Sequence, residues 1–211
     1  TMPNGTDPQS VSDETYRRVL ARWSLRDGVS TLLFVGQMDF KKNPHLILRA
    51  CALLRDQGED FRLVMAGAGQ DLERLKALAA SLNLQDRVLF TGFVGDREEI
   101  LSLYRRADLL VFPSIYDNAP MVVREAAAMG TPALLVRGSC SAEGVTHGDN
   151  GFLCEADPAS IASGIMEALP RAARAGARAR DTIPIPWALL MEQVLERYRR
   201  LIARHAERSP A

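Results

Sequence analysis

The chain has 211 residues, is 47% hydrophobic and 25% charged, and sets 26 Lys and Arg against 26 Asp and Glu. This is the composition of a folded domain of ordinary size, and it excludes disordered, collagen-like and coiled-coil architectures. A net charge of zero exerts no global pull on nucleic acid or anionic membranes, and no apolar run is long enough to cross a bilayer.

The opening residues, Thr1 to Ser10, are turn formers without periodicity and predict a loop. Ser12 is placed as the N-cap of a helix carrying Tyr16, Val19, Leu20 and Trp23 on one face. From Thr31 the pattern becomes regular. Apolar runs at 31–36, 61–67, 87–92, 108–113 and 132–138, with a short one at 151–154, predict strands. Helices are predicted between them over 44–58, 71–82, 97–107 and 120–129. Strands that are apolar throughout and alternate with helices imply a parallel sheet covered on both faces. Right-handed crossovers make it a doubly wound α/β sandwich, which binds ligands at the carboxyl ends of its strands near the switch point. The loops to inspect therefore begin at Gly36, Gly67, Gly92, Pro113 and Gly138. The sandwich is expected to end near Leu169, which divides the chain into 1–30, 31–169 and a helical tail, 170–211.

That tail holds an Arg/Ala segment at 171–180, a Pro-punctuated turn at 183–186 and a last helix from Trp187 to about Ala206. Nine arginines face four acids from Arg171 to Arg208. With only Trp187 and Tyr198 as aromatics among them, they read as a solvated helix face in preference to a patch for anionic lipid or nucleic acid. Leu189, Leu190, Val194, Leu195, Tyr198 and Leu201 form an apolar stripe expected to pack on the body of the protein.

Only Lys41, Lys42 and Lys76 are lysines, and two of them are adjacent in the loop Gly36 to Asn43. That loop joins a strand to a helix whose first turn contains Pro44, a tolerated position. Backbone amides and the positive helix end attract a phosphate there, and Lys42 adds a mobile point charge. A surface lysine pair without function is the competing reading.

The stretch from Ser114 to Pro132 is the most informative. Asn118 is expected to cap a helix reaching Met129, with Gly130 left-handed beyond it and Pro132 blocking extension. Asp117 stands just before the helix, and Glu125 lies about six residues in, roughly 9 Å along the axis and tilted back toward the cleft. Two acids eight residues apart thus bracket a helix start suited to a phosphate on the amides from Ala119 through Pro120 and Met121 to Val122. A sugar joined to a nucleoside diphosphate has that layout of hydroxyls, phosphates and ribose hydroxyls. In the alternative, Asp117 only supports the cap and Glu125 is a surface acid.

Asp117 to Glu125 resembles the two-carboxylate signature of family 4 glycosyltransferases, and Glu125-Ala126-Ala127-Ala128-Met129-Gly130-Thr131-Pro132 is similar to the segment that continues it in that family. Pro3-Asn4-Gly5-Thr6-Asp7 resembles the family's inter-domain turn, and Gly36 to Lys42 its phosphate loop. Gly67-Ala68-Gly69, Asp86 to Gly92, Gly148 to Leu153 and Trp187 with the tail helix fall in family order. The resemblance implies one half of a GT-B fold, a Rossmann-like donor-binding domain at 31–169, and transfer of a sugar from a UDP- or GDP-type donor with retention. It implies no metal and no other cofactor. In that pattern Lys42 neutralises the diphosphate, Asp117 contacts sugar hydroxyls and Glu125 holds the ribose. Phe93 and Val94 face the base, and Gly36, Gln37, Gly67, Asn118, Ala119, Pro120, Met121 and Val122 complete the donor site. The acceptor-binding N-terminal domain is expected outside this chain, leaving a fragment inactive alone.

Two departures stand out. Gln37 replaces the family's usual arginine, exchanging a charge-assisted bond for a neutral one and weakening donor binding about tenfold. Asp117 replaces the commoner glutamate and is about 1.5 Å shorter. His45, His147 and His205 match no catalytic histidine and read as structural or solvated. Cys51, Cys140 and Cys154 form neither a disulfide frame nor a zinc site, which together with the missing signal peptide makes a cytoplasmic protein the default. Peripheral membrane contact stays open. The rival readings are a dinucleotide-binding oxidoreductase domain built on Gly67-Ala68-Gly69, a sugar-nucleotide epimerase or phosphorylase of similar architecture, and a scaffold.

Overall fold

The computed structural model describes residues 4–7, 9–117 and 120–208, with side chains through residue 202. In chain order the elements are α1 (Asp13–Arg22), β1 (Ser30–Val35), α2 (Pro44–Asp56), β2 (Phe61–Ala66), α3 (Leu72–Ser81) and β3 (Val88–Gly92). They continue with α4 (Arg97–Arg106), β4 (Leu109–Phe112), α5 (Met121–Ala128), β5 (Ala133–Val136) and β6 (Phe152–Cys154). Three helices close the chain: α6 (Pro158–Ala168), α7 (Ala172–Thr182) and α8 (Trp187–Arg208).

All six strands run parallel in the order β3-β2-β1-β4-β5-β6. Leu32, Leu33, Leu63, Val64, Leu109 and Leu110 are fully buried because helices cover both faces of the sheet. One layer holds α2 with α3 and α6; the other holds α1, α4, α5 and α7. The doubly wound fold expected from the apolar runs is thus present, and its order reverses between β1 and β4. The crevice at that reversal is bounded by the loops that follow these two strands.

Several local signals act as expected. Ser12 caps α1 through the Thr15 amide at 3.1 Å, and Pro44 occupies the first turn of α2. Gly130 follows α5 at φ +83°, the left-handed position that ends the helix. Two expectations need correction. The helix after β4 begins at Met121 with Pro120 as its N-cap, whereas Asn118 and Ala119 lie outside the described residues, as does Pro3 of the junction turn. The apolar stripe on α8 does not pack on the body: Leu190 is buried, but Leu189, Leu195, Tyr198 and Leu201 are about half exposed. Among the described side chains of α8, the first turn is seated, where the Trp187 amide donates to Asp7 and the Trp187 ring leaves no space for a Cβ on Gly5. The Arg/Ala segment forms α7, clamped to α5 by Arg180 on the Met129 carbonyl (2.9 Å) and by Gly176 against the Gly130 carbonyl.

Candidate active site

One side of the crevice is the loop Gly36 to Asn43. The Met38 amide donates to the Ala68 carbonyl and the Asp71 amide to the Met38 carbonyl, tying it to the loop after β2. Asp71, itself nearly buried, accepts from the Phe40 amide at 3.0 Å. Gly67 and Gly69 make this approach feasible: a Cβ on Gly67 would lie 1.9 Å from the Gly36 carbonyl oxygen, and one on Gly69 2.5 Å from that of Met38. The Gly-Ala-Gly run therefore serves loop packing, and it follows the second strand of the sheet instead of the first. Residues 40–42 form a 3-10 turn capped by Asp39, after which Asn43 takes φ +59° and sends its side-chain amide to the Pro113 carbonyl across the crevice (3.0 Å).

That turn delivers Lys42. Its ammonium donates to Asp117, and the two side chains are only 25% and 17% exposed. The sequence-derived cation and first acid therefore meet where the strand order reverses, 75 residues apart in the chain. Asp117 Oδ2 and Ser114 Oγ are both buried without a hydrogen-bond partner among the described residues. A buried polar atom left unpaired costs about 1–3 kcal/mol, so this wall holds two acceptors ready for hydroxyl or amide donors.

The helix start carries fewer donors than expected. Pro120 has no N–H, so among the described residues the α5 start offers an anion the amides of Met121 and Val122. From Met121, Glu125 lies four residues on, roughly 6 Å along the axis. Its side chain is 15% exposed, with the carboxylate between α5 and α4: Arg97 Nη1 donates to Oε1 at 2.7 Å and the Tyr104 hydroxyl to Oε2 at 3.1 Å. Tyr104 is fully buried, and its phenol is pushed well above its ordinary pKa by burial and then by Glu125. Neighbouring Arg124 faces the other way and donates to the Ile183 carbonyl at 2.7 Å, fixing which face of α5 turns toward α4.

Gly36, Gln37, Gly67, Phe93 and Val94 line one cavity of about 330 Å³, joined by Val35, Ala66, Ala68 and Ile100. Phe93 is 80% exposed at its mouth. Every described residue of the expected site thus lies at the carboxyl end of the sheet, in three groups: the cavity, the Lys42–Asp117 pair with the start of α5, and Glu125. Arg97, Tyr104, Asn43 and Ser114 were missed, because their roles depend on contacts 21 to 70 residues away or on burial alone.

The histidines and cysteines fall elsewhere. His147 accepts the Leu153 amide and bonds Glu167, which is a structural use. His45 packs edge-on against Phe40, and burial followed by Arg49 lowers its pKa. The His205 side chain lies outside those described. Cys51 and Cys154 are buried, which pushes the Cys154 thiol up to about 12, and Cys140 sits exposed in the loop after β5.

Comparison with known proteins matches residues 18–181 to the family model of glycosyl transferases group 1. Among curated relatives, a glycogen synthase of Mycobacterium tuberculosis is 32% identical over 201 residues, covering 90% of this chain and 48% of that protein. A GDP-mannose-dependent alpha-(1-6)-phosphatidylinositol dimannoside mannosyltransferase of the same species is 30% identical over 175 residues, 82% of this chain and 44% of that one. The chain spans about half the length of these relatives or less. Among solved structures, a glycosyltransferase from Rickettsia africae superposes with a TM-score of 0.80 at 20% identity over 93% of this chain and 54% of that chain. Anabaena Alr3699/HepE in complex with UDP and glucose gives 0.77 at 20% identity over 92% and 55%.

Proposed function

This chain belongs to the glycosyl transferases group 1 family, and from that membership we propose that it is the donor-binding domain of a retaining, metal-independent glycosyltransferase. The donor is a nucleoside-diphosphate sugar of the UDP or GDP type. Lys42 and the amides of Met121 and Val122 take the diphosphate, Asp117 accepts from sugar hydroxyls, and Glu125 accepts from the ribose. Phe93 and Val94 flank the base, and Gly36, Gln37 and Gly67 line the same cavity on the diphosphate side. As the bond from the sugar carbon to the diphosphate breaks, its electron pair collects on the leaving oxygen. A preorganised cation and a helix start stabilise that charge in place of a metal.

The observation that carries this reading is the half-buried Lys42–Asp117 pair at the strand-order reversal, with the buried Asp117 Oδ2 unpartnered among the described residues. A cation for phosphate and an acid for hydroxyls, adjacent at a helix start, suit a sugar diphosphate better than a dinucleotide. The acceptor is bound by a preceding domain of a longer, cytoplasmic enzyme, against which the exposed face of α8 is free to pack; no helix among the described residues is long and apolar enough to cross a membrane. Titration calorimetry tests the assignment. UDP or GDP is expected to bind while a nicotinamide dinucleotide does not, and binding of the dinucleotide alone overturns it.

A further inference from the structure

Tyr104 is an unusual occupant of its site. Of the twelve largest fully buried side chains it alone ends in a hydroxyl; the others are Phe, Leu, Ile or Met. Burying a phenol without a partner costs several kcal/mol, and phenylalanine would fill nearly the same volume. The hydroxyl has one partner here, Glu125 Oε2 at 3.1 Å. The two oxygens of Glu125 are held in different ways. Oε2 is bonded by a donor locked in the core between α4 and α5. Oε1 is bonded by Arg97, whose side chain is 50% exposed at the first turn of α4 and can swing aside or share the oxygen.

We propose that Tyr104 is a positioning residue for nucleotide recognition: by holding Oε2 it fixes the rotamer of Glu125 and presents Oε1 to the ribose hydroxyls. This rests on the assignment of Glu125 to the ribose made above. The logic is that of a preorganised acceptor. A glutamate on a helix has three side-chain torsions to immobilise, and a buried donor immobilises them before the ligand arrives. In the free protein the remaining oxygen is paired with the half-exposed Arg97, a partner that a ribose hydroxyl can displace or share. Because the hydroxyl never meets the ligand, its removal changes discrimination between sugars without removing a ligand contact.

The test uses the 211-residue chain with UDP and 2′,3′-dideoxy-UDP, and with the GDP pair if guanosine binds better. In the unsubstituted chain the ribonucleotide is expected to bind about tenfold more tightly than its dideoxy analogue. Tyr104→Phe is expected to reduce that preference about fivefold while leaving dideoxy affinity unchanged. In the Glu125→Ala background, where the preference is already lost, Tyr104→Phe changes neither affinity. Thermal melting of each variant establishes folding, and a merely structural role predicts equal losses for both nucleotides. If Glu125→Ala removes the preference and folded Tyr104→Phe keeps it, the positioning role is overturned and the ribose assignment survives. If Glu125→Ala also keeps it, both fall.

Discussion

The two walls of the crevice are finished to different degrees. The wall formed by the loop after β1 has its donors satisfied: the Met38, Phe40 and Lys41 amides bond backbone or carboxylate partners on their own side, Asn43 reaches across to the Pro113 carbonyl, and two glycines let the loop lie against the loop after β2. The wall after β4 keeps buried acceptors at Ser114 and Asp117 unpaired among the described residues, and its Lys42 partner comes from across the crevice. For the proposed diphosphate site this asymmetry is useful: the rigid side would set the position of the charge, and the unpaired side would supply acceptors for hydroxyl donors.

Damage to the rigid wall should cost most. Gly67→Ala places a Cβ 1.9 Å from the Gly36 carbonyl at φ +145°, and a loss of about 3 kcal/mol in urea denaturation is expected. An unchanged midpoint would mean the two loops are not braced against each other. Next, Lys42→Ala removes the cation that both walls share. UDP affinity should fall about 30-fold, roughly 2 kcal/mol, with the melting temperature little altered.

Gln37→Arg asks how much charge the rigid wall can still accept. Gln37 is exposed at the cavity, so a guanidinium there should tighten diphosphate binding by about 1 kcal/mol. No change would place this loop away from the phosphates. The smallest effect has the most telling sign. Asp117→Asn releases Lys42 from its ion pair, so free UDP should bind about threefold more tightly while UDP-glucose gains nothing. Equal gains for both ligands would separate Asp117 from the sugar.

Much of this is legible in the chain before any coordinates. Continuous apolar runs such as Leu32–Phe34 and Leu63–Met65 specify buried parallel strands, since only a sheet covered on both faces tolerates them. Cap and stop residues such as Ser12 and Gly130 act within one turn and stand where their types place them. The α5 start differs from expectation because Asn118 is a good cap by type, whereas Pro120, with φ −64° and ψ 130°, takes the cap position in the fold. The α8 stripe differs because periodicity tells which residues share a face and says nothing of what stands opposite.

Local chemistry written in the chain is therefore enough to specify the doubly wound sheet, the loops that carry Lys42 and the Asp117 to Glu125 segment, and the resemblance these residues carry. Folding alone brings Lys42 onto Asp117 and sets Tyr104 and Arg97 on the two oxygens of Glu125. The reason is range: caps, periods and turns act over a few residues, whereas these contacts join side chains 21 to 75 residues apart and exist only once α4, α5 and the loop after β1 are packed on one sheet.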